Sequence, residues 1–324
     1  MNLFDFNDRF PNDAACEAYL KLKREEEGII CSKCHESNYH WYENQKMWKC
    51  NNCGTKENLK AGTMMEQTKV SLKIWFQVIH LMTSTKKAFS ALEIQRQVDT
   101  KFYEPIWYMM QKIRITMGKR DALYRLQGDI EIDDAFFETV DLPKEFILGG
   151  ELMEMHFAKG GLTRGRGSER QSKVLVMVES KPNPKQTLEY KKDRIMGFAK
   201  MIVMDDLTGV GINYVVKESI SPSSIVISDG YRGFSGLSEI VEQHNAMVVP
   251  QKEAHIKLPW VHTVIANSKR NLLGVHHSIG KGFLQNYLNE FVYKLNRRTF
   301  ESDLFDRMIV IANNIKTSSV NQLK

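Results

Sequence analysis

The chain has 324 residues, of which 42% are hydrophobic and 26% are charged, and its formal net charge is +6. This length suggests about two domains, and the composition excludes a wholly disordered or low-complexity protein. A mild basic excess permits a nucleic-acid partner without requiring one. No stretch approaches the roughly 18 apolar residues of a membrane span, and the acidic N-terminus lacks the apolar region of a signal peptide. We therefore expect a cytoplasmic protein that does not contact membranes.

Four of the five cysteines follow the pattern C-x2-C-x15-C-x2-C, formed by Cys31, Cys34, Cys50 and Cys53. Two such knuckles can bring four thiolates into one tetrahedron around a zinc ion. The aromatic and polar segment between them predicts a β-hairpin, and Gly54 permits a left-handed turn after the second knuckle. The alternative, four unrelated thiols, is disfavoured by this spacing. The clustering also indicates a reducing compartment rather than a disulfide scaffold.

The segment from residue 60 to residue 120 combines helical periodicity with eleven basic and four acidic residues, a local balance of +7. Apolar residues from Leu72 to Met82 follow helical spacing, and a later helix is predicted over 103–119. The arrangement of short helices is similar to a helix-turn-helix. An ordinary helical bundle with a solvated basic face is the alternative, but we favour DNA binding because a ribbon precedes these helices. The DNA contacts expected here are Lys86, Lys87, Lys112 and Arg114.

The second half of the chain changes to predicted strands that carry carboxylates. The strand IEIDD is expected to end with Asp133 and Asp134, and the strand in SIVISDG ends with Asp229. Two further strands and a helix lie between them, and this order is that of a ribonuclease H-like core. Its first and fourth strands are neighbours, so Asp133 and Asp229 are expected to share Mg²⁺ ions. An aspartate that starts a turn is the alternative for Asp229, and alone either aspartate would more often have a structural than a catalytic role.

A glycine-rich basic loop, GGLTRGRGSERQSK, is predicted after the first of these strands. We expect Arg164, Arg166 and Arg170 in this loop to contact DNA phosphates. The alternative is a disordered surface loop. From Lys159 to Lys173 there are five basic residues and one acidic residue, a balance of +4. Together with the +7 of the helical segment this exceeds the total of +6, so the remainder of the chain is acidic.

These landmarks resemble bacterial insertion-sequence transposases of the zinc-ribbon type, relatives of the eukaryotic Merlin elements. The most specific matches are LPWVHTVIANSKRNLLGVHH and FLQNYLNEFVYKLNRR, and the resemblance extends over about residues 31–298. It implies a DDE-type transposase with structural zinc and catalytic Mg²⁺ or Mn²⁺, in which Asp133 and Asp229 are the first two catalytic carboxylates. The implied partners are terminal inverted repeats, target DNA and at least a second copy of the chain. Alternatives are a catalytically weakened or domesticated DNA-binding protein and a nuclease without strand transfer.

The third catalytic position departs from the usual glutamate of that family. The family pattern places the acid seven residues before a Lys-Arg pair, and this chain has His262 seven residues before Lys269 and Arg270. Some family members carry His or Asn there, so the resemblance assigns His262 as the third metal ligand, with Asn267 as the weaker candidate. Seven residues are about two helical turns, so His262 and Lys269 share a helix face. We expect Lys269 in the catalytic site and Arg270 on DNA; a packed helix histidine is the alternative for His262.

The fold class predicted from the sequence is multidomain α+β. The first domain, residues 1–58, contains a helix and the zinc ribbon, and residues 59–125 form a helix-turn-helix-like DNA-binding region. Residues 126–300 form the ribonuclease H-like mixed α/β core, and residues 301–324 form a C-terminal helix or tail.

Overall fold

The computed structural model describes residues 1–98, 100–140, 171–184, 193–247, 257–300 and 303–314. The chain divides into two compact units. The first comprises Met1–Arg120 with the C-terminal segment that begins at Arg297, and the second comprises Asp121–Asn296. The four domains predicted above are a finer division and stay a prediction. Among the helices that the structure describes, none is long and apolar enough to cross a membrane.

Helices are the main elements of the first unit, and a five-stranded sheet is the centre of the second. The helices are α1 (Leu3–Arg9), α2 (Asp13–Glu27), α3 (Leu72–Ser84), α4 (Ala91–Gln97), α5 (Tyr103–Ala122), α6 (Gly209–Ser219), α7 (Pro259–Leu273), α8 (Leu284–Asn296) and α9 (Leu304–Asn314). The strands are β1 (Tyr39–Tyr42), β2 (Met47–Cys50), β3 (Lys56–Asn58), β4 (Asp129–Glu138), β5 (Gln171–Pro182), β6 (Arg194–Met204), β7 (Ile225–Asp229) and β8 (Gln243–Met247).

Side-chain caps determine where several of these helices begin. Asn12, Ser71, Ser90 and Thr208 each accept a hydrogen bond from a backbone N–H three residues later, at the starts of α2, α3, α4 and α6. Each such cap contributes about 1 kcal/mol to helix stability. The apolar periodicity between Leu72 and Met82 is confirmed, because α3 buries that face in the first unit.

An aromatic cluster forms much of the core of the first unit. Phe6 of α1 stacks on His80 of α3 with ring centroids 4.5 Å apart. Phe305 of α9 packs edge-on against Phe6 at 5.8 Å and meets Phe76 at 5.7 Å. Burial of such rings is a large stabilising contribution, and edge-on packing adds to it. The C-terminal helix α9 is therefore part of this core.

The second unit contains one mixed sheet with the strand order β6-β5-β4-β7-β8. Strands β4, β5 and β6 are antiparallel neighbours, whereas β7 and β8 run parallel to β4. Helix α6 lies between β6 and β7 in the chain and packs on one face of the sheet, and α7 and α8 pack on the other. This topology, with three antiparallel strands and a helical crossover to a parallel fourth strand, confirms the ribonuclease H-like prediction.

Strand β4 is longer than the sequence predicted. It was expected to end at Asp134, but it continues to Glu138, which pairs with Gln171 of β5. Antiparallel pairing with β5 extends the strand, whereas the parallel pairing with β7 stops at Ile132 opposite Ser228. The predicted carboxylates therefore lie where the parallel ladder stops, in the middle of β4.

The predicted basic loop lies almost wholly outside the described residues. Arg164, Arg166 and Arg170 all belong to the part of the chain that the structure does not describe. The described chain resumes at Gln171, which already belongs to β5.

Candidate functional site

Four cysteines form a metal-binding cluster in the first unit. Their Sγ atoms all lie within 4.8 Å of one another. The Sγ atoms of Cys31 and Cys53 are 3.5 Å apart, as are those of Cys34 and Cys50. A zinc–thiolate tetrahedron has S···S edges of about 3.8 Å, so this donor set fits structural zinc.

The two knuckles have the same backbone turn although their sequences differ. In the first, the N–H of His35 donates to the carbonyl of Cys31, and His35 has a φ of 59°. In the second, the N–H of Gly54 donates to the carbonyl of Cys50, and Gly54 has a φ of 72°. The turn at Gly54 is the predicted one. The turn at His35 was not predicted, because a residue other than glycine rarely has a positive φ.

Asp133 and Asp229 lie on neighbouring parallel strands. Each follows by one position the paired residues Ile132 and Ser228. Neighbouring strands are about 4.8 Å apart, and residues in equivalent positions share a face. This face also carries Ala135, which packs in the cluster of α7 and α8. The fold therefore places both predicted carboxylates on the face that α7 covers.

His262 of α7 lies opposite Asp133, with 3.7 Å between Nδ1 and Oδ2. The His262 side chain is 30% exposed and that of Asp133 is 14% exposed, so the pair is partly accessible to solvent. Backbone hydrogen bonds orient both carboxylates: Asp133 Oδ1 accepts from the N–H of Asp134 at 2.8 Å, and Asp229 Oδ1 accepts from Tyr231 at 3.1 Å. The structure thus brings His262 to Asp133 and holds Asp229 on the next strand.

Glu131, which the sequence did not single out, joins α7 to the strand that carries Asp133. Its Oε2 accepts hydrogen bonds from the N–H groups of Trp260 at 2.8 Å and Val261 at 3.0 Å. Helix α7 has no side-chain cap from Leu258, so Glu131 instead accepts from the first N–H groups of the helix, which have no partner within it. Burial raises the pKa of Glu131, and the bonds from Val261 and Trp260 oppose that rise. Glu131 is one of five acidic residues among the ten of β4, so no feature of the sequence distinguishes it from the others.

The other predicted residues of α7 differ in their surroundings. Lys269 Nζ lies 5.5 Å from the ring centroid of Phe137, and burial lowers the pKa of this lysine. Asn267 is exposed, whereas His262 is partly buried beside the sheet. This geometry favours His262 over Asn267 at the third position. Arg270 is exposed, as a DNA contact requires.

The predicted DNA contacts of the first unit also differ in exposure. Lys86 and Lys87 are exposed between α3 and α4, and Lys112 is partly buried with a pKa that burial lowers. Arg114 is 1% exposed, so its guanidinium does not face solvent. The prediction that Arg114 contacts a DNA phosphate is therefore wrong. The physical reason is that α5 is buried around much of its circumference, since even the polar residues Gln111 and Arg114 are covered.

A ribonuclease H-like core with paired carboxylates and a four-cysteine ribbon together define the chain as an insertion-sequence transposase. A family model described as the ISXO2-like transposase domain matches residues 125–296. A second, the transposase zinc-ribbon domain, matches residues 11–56. The chain belongs to the ISXO2-like transposase family, which confirms the predicted resemblance.

Comparison with individual proteins gives one curated relative and several structures. An uncharacterized protein in transposable element ISH50 of Halobacterium salinarum is 24% identical over 283 residues, covering 84% of this chain and 86% of the relative. The pre-cleavage Mos1 transpososome is 8% identical, with a TM-score of 0.29 over 72% of this chain and 76% of that chain. The Mos1 strand transfer complex is 8% identical, with a TM-score of 0.28 over 76% and 79%. Scores this low do not establish a shared fold, which rests here on strand order.

Proposed function

We propose that this transposase cleaves DNA at the ends of its insertion sequence and joins the freed ends to target DNA. The observation that carries the proposal is the placement of Asp133 and Asp229 on adjacent parallel strands, with His262 at 3.7 Å from Asp133. Two carboxylates and an imidazole are a donor set that suits Mg²⁺ or Mn²⁺. The partial exposure of Asp133 and His262 is compatible with access by water and a phosphodiester.

The three side chains would hold the catalytic cation. When bound, Mg²⁺ or Mn²⁺ would supply Lewis-acid activation and stabilise the charge that develops on the phosphodiester. Backbone N–H groups fix the orientation of Asp133 and Asp229, so little reorganisation is needed when the substrate arrives. A neutral imidazole at His262 leaves the site one charge less negative than a glutamate would, and it favours Mn²⁺ as the softer ion.

The reaction needs no covalent bond between DNA and protein. Water first displaces the 3′ oxygen at the end of the element, which leaves a free 3′ hydroxyl. That hydroxyl then attacks a phosphodiester of the target DNA by in-line displacement. Lys269 lies on the same helix as His262, and its ammonium would stabilise a phosphate beside the site.

DNA recognition is assigned to the first unit and to the exposed basic side chains. Structural zinc holds the ribbon, and the ribbon and the helices α3–α5 would contact the terminal inverted repeats. Exposed Lys86, Lys87 and Arg270 are the proposed phosphate contacts, together with the partly buried Lys112. The arginines predicted in the basic loop stay proposals. Pairing of two transposon ends would require at least two copies of the chain.

A second function is favoured by one observation, the histidine in place of the usual third carboxylate. A protein that kept the architecture and lost catalysis would bind the transposon ends and regulate events there. Such a protein would bind end DNA with the affinity of a transposase and would leave it intact.

A plasmid that carries the element's own ends separates these functions. With Mg²⁺ or Mn²⁺ we expect nicked and joined products from the wild type and none from Asp133→Asn or Asp229→Asn. Asp134→Asn is the matched control, because strand alternation turns Asp134 to the opposite face of β4. Binding without nicking under either metal would refute the enzyme and leave the regulator. Cleavage without joined products would indicate a nuclease that does not transfer strands.

A further inference from the structure

The small sheet of β1, β2 and β3 has one face covered by helix α2. Trp48 on this inner face is 1% exposed. The Arg24 guanidinium of α2 lies 4.9 Å from the Trp48 ring centroid, and Glu25 accepts a hydrogen bond from the indole N–H at 3.2 Å. Lys21 lies over the ring of Trp41, the residue paired with Trp48 across the strands. The inner face is therefore part of the core of the first unit.

The outer face of the same sheet is open to solvent. Residues directly opposite each other on antiparallel strands share a face, so the register defines this surface. It has two rows across the three strands: His40, Lys49 and Lys56 in one, and Tyr42, Met47 and Asn58 in the other. His40, Tyr42, Lys56 and Asn58 are exposed, and Lys49 and Met47 are partly exposed. We call these six residues the outer ribbon face.

The charges of the outer ribbon face are not neutralised within the described part of the chain. Lys49 pairs directly with Lys56 across the strands, an arrangement of like charges that destabilises a sheet. Neither lysine side chain forms an ion pair or hydrogen bond with any described residue. In contrast, Lys46 in the same ribbon forms ion pairs with Glu43 and, at 3.8 Å, with Glu17.

We propose that the outer ribbon face binds duplex DNA, with Lys49 and Lys56 on backbone phosphates and Tyr42 packed beside them. A polyanion offsets the repulsion between the two lysines. Tyr42 is 39% exposed, and its ring centroid lies 4.9 Å from that of His40, so its ring adds a surface for a sugar or a base. The inference rests on the proposed function for the nature of the partner.

The experiment measures how the affinity of zinc-loaded, full-length protein for DNA depends on salt. The probe is a fluorescent duplex that carries one end of the element, titrated at several NaCl concentrations. Each phosphate contact contributes about 0.9 to the slope of log K against log salt. We therefore expect Lys49→Gln and Lys56→Gln each to reduce the slope by about 1, and the double variant to reduce it by about 2. At 0.1 M salt the same relation predicts about tenfold weaker binding for each lysine removed.

Lys46→Gln is the matched control. It removes a lysine of the same ribbon whose charge is already paired, so we expect the slope to stay at the wild-type value. Retention of one zinc per chain shows that each variant keeps the ribbon folded.

A double variant with the wild-type slope would overturn the inference, as would a wild type that does not bind the duplex. Because the readout is binding, a reduced slope supports the surface even if no metal yields cleavage. A wild type that cleaves, with an unchanged slope in the double variant, would reject the surface alone.

Discussion

Replacement of Glu131 by alanine is expected to loosen helix α7. Glu131 is 3% exposed and accepts the N–H groups of Trp260 and Val261. Each buried N–H left without an acceptor costs about 1–3 kcal/mol, so two cost about 2–6 kcal/mol. Relief from burying a carboxylate offsets part of that cost, and a net loss of about 3 kcal/mol in the local stability of α7 remains. Glu131→Gln keeps the volume and a carbonyl acceptor, so it should stay within about 1 kcal/mol of the wild type.

Hydrogen–deuterium exchange of the peptide that contains α7 measures this effect. A loss of about 3 kcal/mol predicts roughly 100-fold faster exchange for Glu131→Ala. Glu218→Ala is the control, because Glu218 is exposed on α6 and surface substitutions of this kind change stability by about 0.5 kcal/mol or less. Wild-type exchange of α7 in Glu131→Ala would refute the reasoning. Equal exchange in the alanine and glutamine variants would show that the acceptor is not what matters.

Three further predictions concern pH, the catalytic metal and zinc. Burial lowers the pKa of His80 below 6.5, so the unfolded state takes up its proton first and stability should fall as the pH drops through and below 6.5; His80→Phe should flatten the dependence of Tm on pH, and an unchanged dependence contradicts this. His262→Glu adds a carboxylate beside Asp133 and should tighten Mn²⁺ binding by about tenfold, measured by electron paramagnetic resonance of the free ion; unchanged affinity would place His262 outside the metal site. Cys50→Ser should lose zinc by elemental analysis, whereas Cys16→Ser, also buried but outside the cluster, should keep one ion per chain.

Features that depend on short spacing were predictable from the sequence. In each knuckle the two cysteines lie within four residues, so local backbone turns determine most of the geometry of the zinc site. Helix α3 follows from apolar periodicity, and the neighbouring positions of β4 and β7 follow from the order of the elements.

Features that depend on which elements pack together were not predictable. The sequence of β4 does not show that β5 extends it to Glu138, because that depends on a distant antiparallel partner. The burial of Glu131 and of Arg114 likewise depends on which elements pack against them. Glu131 is buried against the start of α7, and Arg114 is buried on α5, although both residue types are usually exposed.

The register between β4 and β7 limits where the length of this chain can change. Asp133 and Asp229 each follow one paired position, and successive residues of a strand point to opposite faces. A single insertion or deletion inside β7 would therefore turn Asp229 to the α6 face and separate it from Asp133. The connection from β6 to α6 takes no part in this pairing, whereas Ile220, just after α6, is bridged to Leu126 beside β4. Because loop length costs little free energy, gains and losses of residues among functional variants should fall in the connection before α6 and spare the strands.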